Sequence, residues 1–163
     1  DQDIDPKDII KKNLLNKNDY EKIHDISLML YKKGNEIANK SGLILVDTKY
    51  EFGYDTNDEI TLIDEIHTPD SSRYFYLDSY EDLQTKGLKQ KQLSKEFFRE
   101  WLMENNFRGL EGQKIPKIND DVVKMVSNRY IELYEKLIGE KFDFPSNKDI
   151  IDRIQGNLKD FLK

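Results

Sequence analysis

Two short stretches hold the residues of this chain whose types and spacing could do chemistry. Gly42 to Gly53 carries Asp47, Lys49 and Glu51 at alternate positions, and Asp64 to Arg73 carries Asp64, Glu65, His67, Asp70 and Arg73. Side chains alternate along a strand, so an extended first stretch puts Asp47, Lys49 and Glu51 on one face. Val46, Thr48, Tyr50 and Phe52 then form a second face that reads as core. Glu51 and Asp64 suit a Mg²⁺-nucleotide platform, because a hard cation takes carboxylate oxygens and also bridges phosphate oxygens. Lys49 could neutralise charge on a transferring phosphoryl group or on an anionic substrate. Asp70 and Arg73, expected at the end of the second strand, add an acceptor and a forked donor for a polar anionic ligand. A plainer reading stands beside this one. The charged face of a half-buried strand is usually just solvated, and Thr68-Pro69-Asp70-Ser71 is a turn-forming run in which Asp70 could bond nearby amides.

Whether Asp64 joins the first face depends on the hairpin loop, where Asp55, Asn57 and Asp58 are turn formers. An even loop, Asn57-Asp58 or Thr56 to Glu59, sets Glu51 opposite Asp64 with Cβ atoms about 5 Å apart. An odd loop puts Asp64 on the core face beside Tyr50, where an ionised carboxylate is costly. The even loop is therefore expected. Two facing carboxylates repel unless a proton or a cation lies between them.

The elements that must position these residues are legible in outline. Asp5-Pro6 predicts the N-cap and first position of a short helix ending near Asn16 to Asn18. Asn18 and Glu21 have the form of a capping box opening a second helix, with Ile23, Ile26, Leu30 and Ile37 at helical spacing and Ser41-Gly42 as its stop. Leu43 to Phe52 reads as one strand and Ile60 to Ile63 as its hairpin partner. Ser94 is placed to cap a helix bearing Phe97, Phe98, Trp101 and Leu102, whose spacing makes them core rather than a base-stacking platform. A helix from about Asn119 to Ile138 puts Val122, Val126, Tyr130, Leu133 and Leu137 on one face, and Gly139 ends it. Ser146 is expected to open a last amphipathic helix with Ile150, Ile154, Leu158 and Phe161. No repeat or linker divides the 163 residues, so residues 1–163 read as a single α+β unit: an antiparallel, hairpin-containing sheet packed by several amphipathic helices.

Composition narrows the function classes. With no cysteine and two histidines, thiolate chemistry, disulfides and histidine-rich metal sites are out, and any metal would be held by oxygen. A net charge of −6 argues against a nucleic-acid binder held by phosphate contacts. No apolar run approaches the roughly 20 residues a membrane helix needs, so the expected setting is cytoplasmic. His67 reads as a hydrogen-bonded structural residue, and His24 sits in an amphipathic helix. The chain opens Asp1-Gln2-Asp3 without an initiator Met and reads as a piece of a longer chain.

The two stretches resemble the paired signatures of the phosphoribosylaminoimidazole-succinocarboxamide synthase (SAICAR synthetase) family of purine biosynthesis. The likeness extends through Ser94 to Leu102 and Arg129 to Tyr134 as far as Gly139. It implies the C-terminal, catalytic lobe of that fold, with the family's N-terminal ATP-binding lobe absent from this chain. Asp1 resembles the aspartate of a family His-Asp pair whose histidine would precede this chain. Membership implies a carbon-nitrogen ligase that condenses carboxyaminoimidazole ribonucleotide (CAIR) with L-aspartate at the expense of ATP, giving SAICAR, ADP and phosphate through an acyl phosphate. By motif position, Glu51 and Asp64 would serve Mg²⁺ and ATP, Lys49 would lie near the reacting carboxylate, and Asp70 and Arg73 would bind the ribonucleotide. Asp47 and Glu65 would support them. The implied partners are these small molecules and the missing lobe, with homo-oligomerisation left open, and the isolated fragment is expected to be inactive. The competing readings are another ATP- and Mg²⁺-dependent ligase or kinase-like enzyme, and a non-catalytic acidic binding module that keeps the fold.

Overall fold

The structure, a computed structural model, describes residues 3–144, 150–159 and 161. The expectations for Asp1 and Ser146 lie outside the described residues. In chain order the elements are α1 (Pro6–Lys11), α2 (Lys17–Lys40), β1 (Leu43–Thr48), β2 (Glu51–Tyr54), β3 (Ile60–Ile63), β4 (Ser72–Tyr76), α3 (Leu77–Thr85), β5 (Gln92–Leu93), α4 (Glu96–Glu104), α5 (Asp120–Ile138) and α6 (Ile150–Leu158). The α+β reading holds, with an antiparallel sheet and helices packed on it.

Helix ends follow local chemistry. The Asp5 carboxylate accepts from the Lys7 amide at 2.8 Å, as its N-cap position requires. α1 stops at Lys11, earlier than expected, and Asn13 adopts a left-handed φ of 53° just beyond it. The cap of α2 is Asn16 rather than Asn18: its side chain accepts from the Asp19 amide at 2.9 Å and donates to the Asp19 carboxylate at 2.7 Å. Asn18 therefore lies inside the helix. Asn119 caps α5 through the Val122 amide at 3.1 Å, and Gly139 closes it at φ 79°. Ile37, expected on the inner face of α2, is exposed, because Gly34 and Ala38 are the residues that press against the sheet.

The stretch read as one long strand is two. β1 pairs with β4 in a three-stranded sheet of order β1-β4-β5, whereas β2 pairs, among the described residues, only with β3 in a separate two-stranded sheet. Lys49 and Tyr50 form the break, and the Lys49 amide bonds Ser71 O at 3.0 Å. The core lies under the larger sheet and gathers Ala38, Leu43, Leu45, Tyr74, Leu93 and Leu133, flanked by Tyr31, Tyr76 and Leu137.

A bulge at Val46 decides what β1 shows to solvent. Leu45 faces Tyr74, but the register shifts at once so that Asp47 faces Arg73. Leu43, Leu45 and Asp47 share sequence parity, and an unbroken strand would drive the carboxylate into the core behind the leucines. The extra residue turns Asp47 outward. Tyr31 Oη lies 3.0 Å from Leu45 O and 2.9 Å from Val46 O, supplying a donor where the ladder is interrupted.

Candidate active site

The hairpin register corrects the expected facing pair. Tyr54 pairs with Ile60, leaving the odd loop 55–59, and Glu51 faces Ile63 rather than Asp64. The cost foreseen for an odd loop is avoided because β3 ends at Ile63 and Asp64 takes a left-handed φ of 64°, which leaves it exposed. The loop is odd because Asp55 closes it internally: its carboxylate accepts from the amides of Asn57 at 2.8 Å and Glu59 at 2.9 Å. Those two bonds hold Asp55 below the usual carboxylate range.

Glu51 retains a partner on its own strand link. The Lys49 ammonium is ion-paired with Glu51, and its pKa is raised first by that bond and charge, then by Asp64 and Glu65. A lysine held protonated in this way is a fixed positive charge and a poor general base. Glu65 accepts from Thr68 Oγ1. Among the described residues, no three His, Asp or Glu side chains cluster closely enough to hold a metal alone. Glu51 and Asp64 each offer the carboxylate oxygens that Mg²⁺ takes, one or two of which commonly suffice when water and phosphate complete its shell.

Asp47, Asp70 and Arg73 line a second feature, a cavity of about 280 Å³ walled also by Ser71, Ser94, Lys95, Glu96 and Arg99, the last two ion-paired at 3.1 Å. Arg73 belongs to β4, not to the end of the second strand, and its guanidinium forks onto Asp47 with Nε 3.0 Å from both oxygens. That carboxylate pushes the guanidinium pKa further up. The turn expected at Thr68 is present, with Ser71 Oγ accepting from the Thr68 amide at 3.1 Å and Thr68 O accepting from the Ser72 amide at 2.9 Å. Asp70 does not bond that turn; it accepts from Tyr130 Oη on α5 at 3.0 Å.

Sequence reading did not single out as site residues Tyr130, which bonds Asp70, or Lys95 and Arg99, which line the cavity. Tyr130 falls at core spacing on α5, and burial, then its bond to Asp70, raises its pKa to about 12. Lys95 and Arg99 are one turn apart at the start of α4, a basic pair on one helix face that sequence could have flagged. His67 is structural as expected, bonded through Nε2 to Tyr50 Oη at 2.7 Å.

The α+β fold thus presents an acid-bearing hairpin and a cavity whose wall carries both carboxylates, Asp47, Asp70 and Glu96, and cations, Arg73, Lys95 and Arg99, groups suited to a polar, charged ligand. Residues 1–115 match the family model for SAICAR synthetase. The chain belongs to the SAICAR synthetase family. It is 53% identical over 163 residues to the phosphoribosylaminoimidazole-succinocarboxamide synthase of Cytophaga hutchinsonii, covering 100% of this chain and 51% of that protein. The enzyme of that name from Bacteroides thetaiotaomicron is 53% identical over 162 residues, covering 99% and 51%. Among solved structures, SAICAR-synthase from Saccharomyces cerevisiae complexed with SAICAR superposes with TM-score 0.70 at 36% identity, covering 88% of this chain and 46% of that one. A SAICAR synthetase in complex with ADP gives TM-score 0.59 at 27% identity, covering 86% and 46%. The chain spans about half the length of the curated relatives it matches.

Proposed function

We propose that this chain is the C-terminal, catalytic lobe of an ATP-dependent ligase that joins CAIR to L-aspartate, releasing SAICAR, ADP and phosphate. The observation that carries the reading is the convergence of the two signature stretches. The Lys49 amide is bonded to Ser71 O, Ser72 Oγ donates to Thr48 Oγ1 at 2.9 Å, and Arg73 forks onto Asp47. Binding of SAICAR by the yeast relative and of ADP by another supports the substrate assignment.

Glu51 and Asp64 would hold Mg²⁺, which when bound would neutralise the ATP phosphates. Lys49 supplies a fixed charge beside the ribonucleotide carboxylate, whose oxygen bonds the terminal phosphorus of ATP while the bridging P–O bond breaks and ADP leaves with its electron pair. The aspartate amine then attacks the acyl carbon, the C–O bond to phosphate breaks with its electron pair going to phosphate, and the departing phosphate takes up the proton the nitrogen sheds. Asp47 holds the Arg73 fork in register, Glu65 braces Thr68, and Asp70 with Arg73 orients the ribonucleotide. No protein nucleophile is needed, so catalysis rests on positioning and charge. No helix among the described residues is long and apolar enough to cross a membrane, and we assign the protein to the cytoplasm with its substrates. The family's N-terminal lobe would supply the facing wall of the site.

The test is turnover by the full-length protein. Product formation dependent on ATP, L-aspartate, CAIR and Mg²⁺ together is expected, with none from residues 1–163 alone. Mg·ATP binding without turnover of this pair would favour a different ligase or kinase-like enzyme, and binding of neither substrate would favour an acidic binding module.

A further inference from the structure

The β2-β3 hairpin hydrogen-bonds to no other strand among the described residues, yet it carries Glu51 and leads into Asp64. Its placement relative to Asp70 and Arg73 must therefore come from side chains and from the segments at its two ends. Tyr50, between Lys49 and Glu51, meets His67, midway between Asp64 and Asp70. Their Oη and Nε2 atoms are 2.7 Å apart, and the rings stand edge to face with centroids 5.6 Å apart.

His67, half-buried, is itself held by further contacts. Its carbonyl accepts from Oη of the buried Tyr74 at 2.7 Å. Its ring lies against α2 where Gly34 leaves room: a Cβ at that position would meet Cε1 at 2.5 Å and Nε2 at 2.8 Å. Its backbone has a φ of 56°, a left-handed conformation that costs a non-glycine residue free energy and persists where surrounding contacts over-determine it.

We propose that the Tyr50–His67 pair is a positioning element that locks the β1-β2 link to the loop before β4. Lys49, Glu51 and Asp64 thereby keep a fixed relation to Asp70 and Arg73. Neither ring is assigned to a ligand; both act through their neighbours. The functional consequence rests on the ligase reading, whereas the lock itself does not.

Tyr50→Phe in the full-length protein removes one oxygen and keeps the ring. Thermal stability should change little. Hydrogen exchange across 64–73 should quicken about tenfold while β1 is unaffected. Half-saturating Mg²⁺ should rise, and kcat/KM should fall about tenfold. His67→Gln, whose amide can still meet the hydroxyl, should recover part of the loss relative to His67→Leu. The loss in Tyr50→Phe with His67→Leu should be smaller than the sum of the two single losses, because the hydrogen bond they share is already broken. Wild-type exchange at 64–73 in Tyr50→Phe, unchanged Mg²⁺ dependence, or fully additive losses would overturn the inference. Absence of turnover in the wild-type protein would remove the ligase reading instead; exchange then decides the lock, faster rates confined to 64–73 upholding it and unchanged rates overturning it.

Discussion

Arg73 reaches Asp47 across a β1-β4 register that a bulge has just shifted, with Nε 3.0 Å from each carboxylate oxygen. Both side chains are about half exposed, 47% for Arg73 and 49% for Asp47, so the pair is worth at most about 1 kcal/mol to the fold. Its value is orientation. Asp47→Asn should leave thermal unfolding almost unchanged and lower kcat/KM roughly tenfold to a hundredfold through a loosened Arg73. A stability loss that accounts for the whole activity loss would contradict this.

Glu51→Gln and Asp64→Asn remove charge without removing bulk from the two proposed Mg²⁺ ligands. Each should raise half-saturating Mg²⁺ by about tenfold or more with the fold intact. Titrating Mg²⁺ at fixed ATP in the full-length variants checks this, and unchanged curves for both would sink the metal assignment.

Gly34→Ala tests the close approach of α2 to the site. Alanine favours a helix interior over glycine by about 1 kcal/mol. Here the new methyl would lie 2.7 Å from Leu45 Cδ2 as well as against the His67 ring, and neither can yield freely. Overpacking should win, for a net loss of about 1–2 kcal/mol in denaturant unfolding. A more stable variant would show that the helix can move away at little cost.

Alkaline unfolding should have a defined window. Burial raises Tyr74 to about 12 and Tyr130 to about 12 from the usual value of 10. Burial, then the bond to Glu132, also raises Tyr76. A raised pKa means the fold prefers the neutral phenol. That contribution is whole below pH 10, and it is lost as pH rises through 12. Stability followed from pH 8 upward should hold to about pH 10 and then fall, less steeply in Tyr130→Phe. A decline well below that onset would point to other groups.

Much of this protein was legible residue by residue. Asp5, Asn119 and Gly139 mark helix ends through bonds that reach only a turn away, and the alternation from Asp47 to Phe52 announced extended chain. The residue types at Asp47, Lys49, Glu51, Asp64, Asp70 and Arg73 are likewise read directly from the sequence, and they limit the candidate site to carboxylate, ammonium and guanidinium groups. Local sequence determines these because their physics is local.

Tertiary structure decided the rest. Sequence parity could not show that Val46 bulges and turns Asp47 away from the core, since the shift exists only relative to β4. It could not show that Asp55 closes an odd loop, or that Asp64 escapes the core by a left-handed turn. Tyr130 looked like one more core residue until packing brought it to Asp70, a neighbour distant in sequence. Residue types decided what chemistry was available; packing decided which groups meet, because register, bulges and inter-element contacts are properties of pairs of segments.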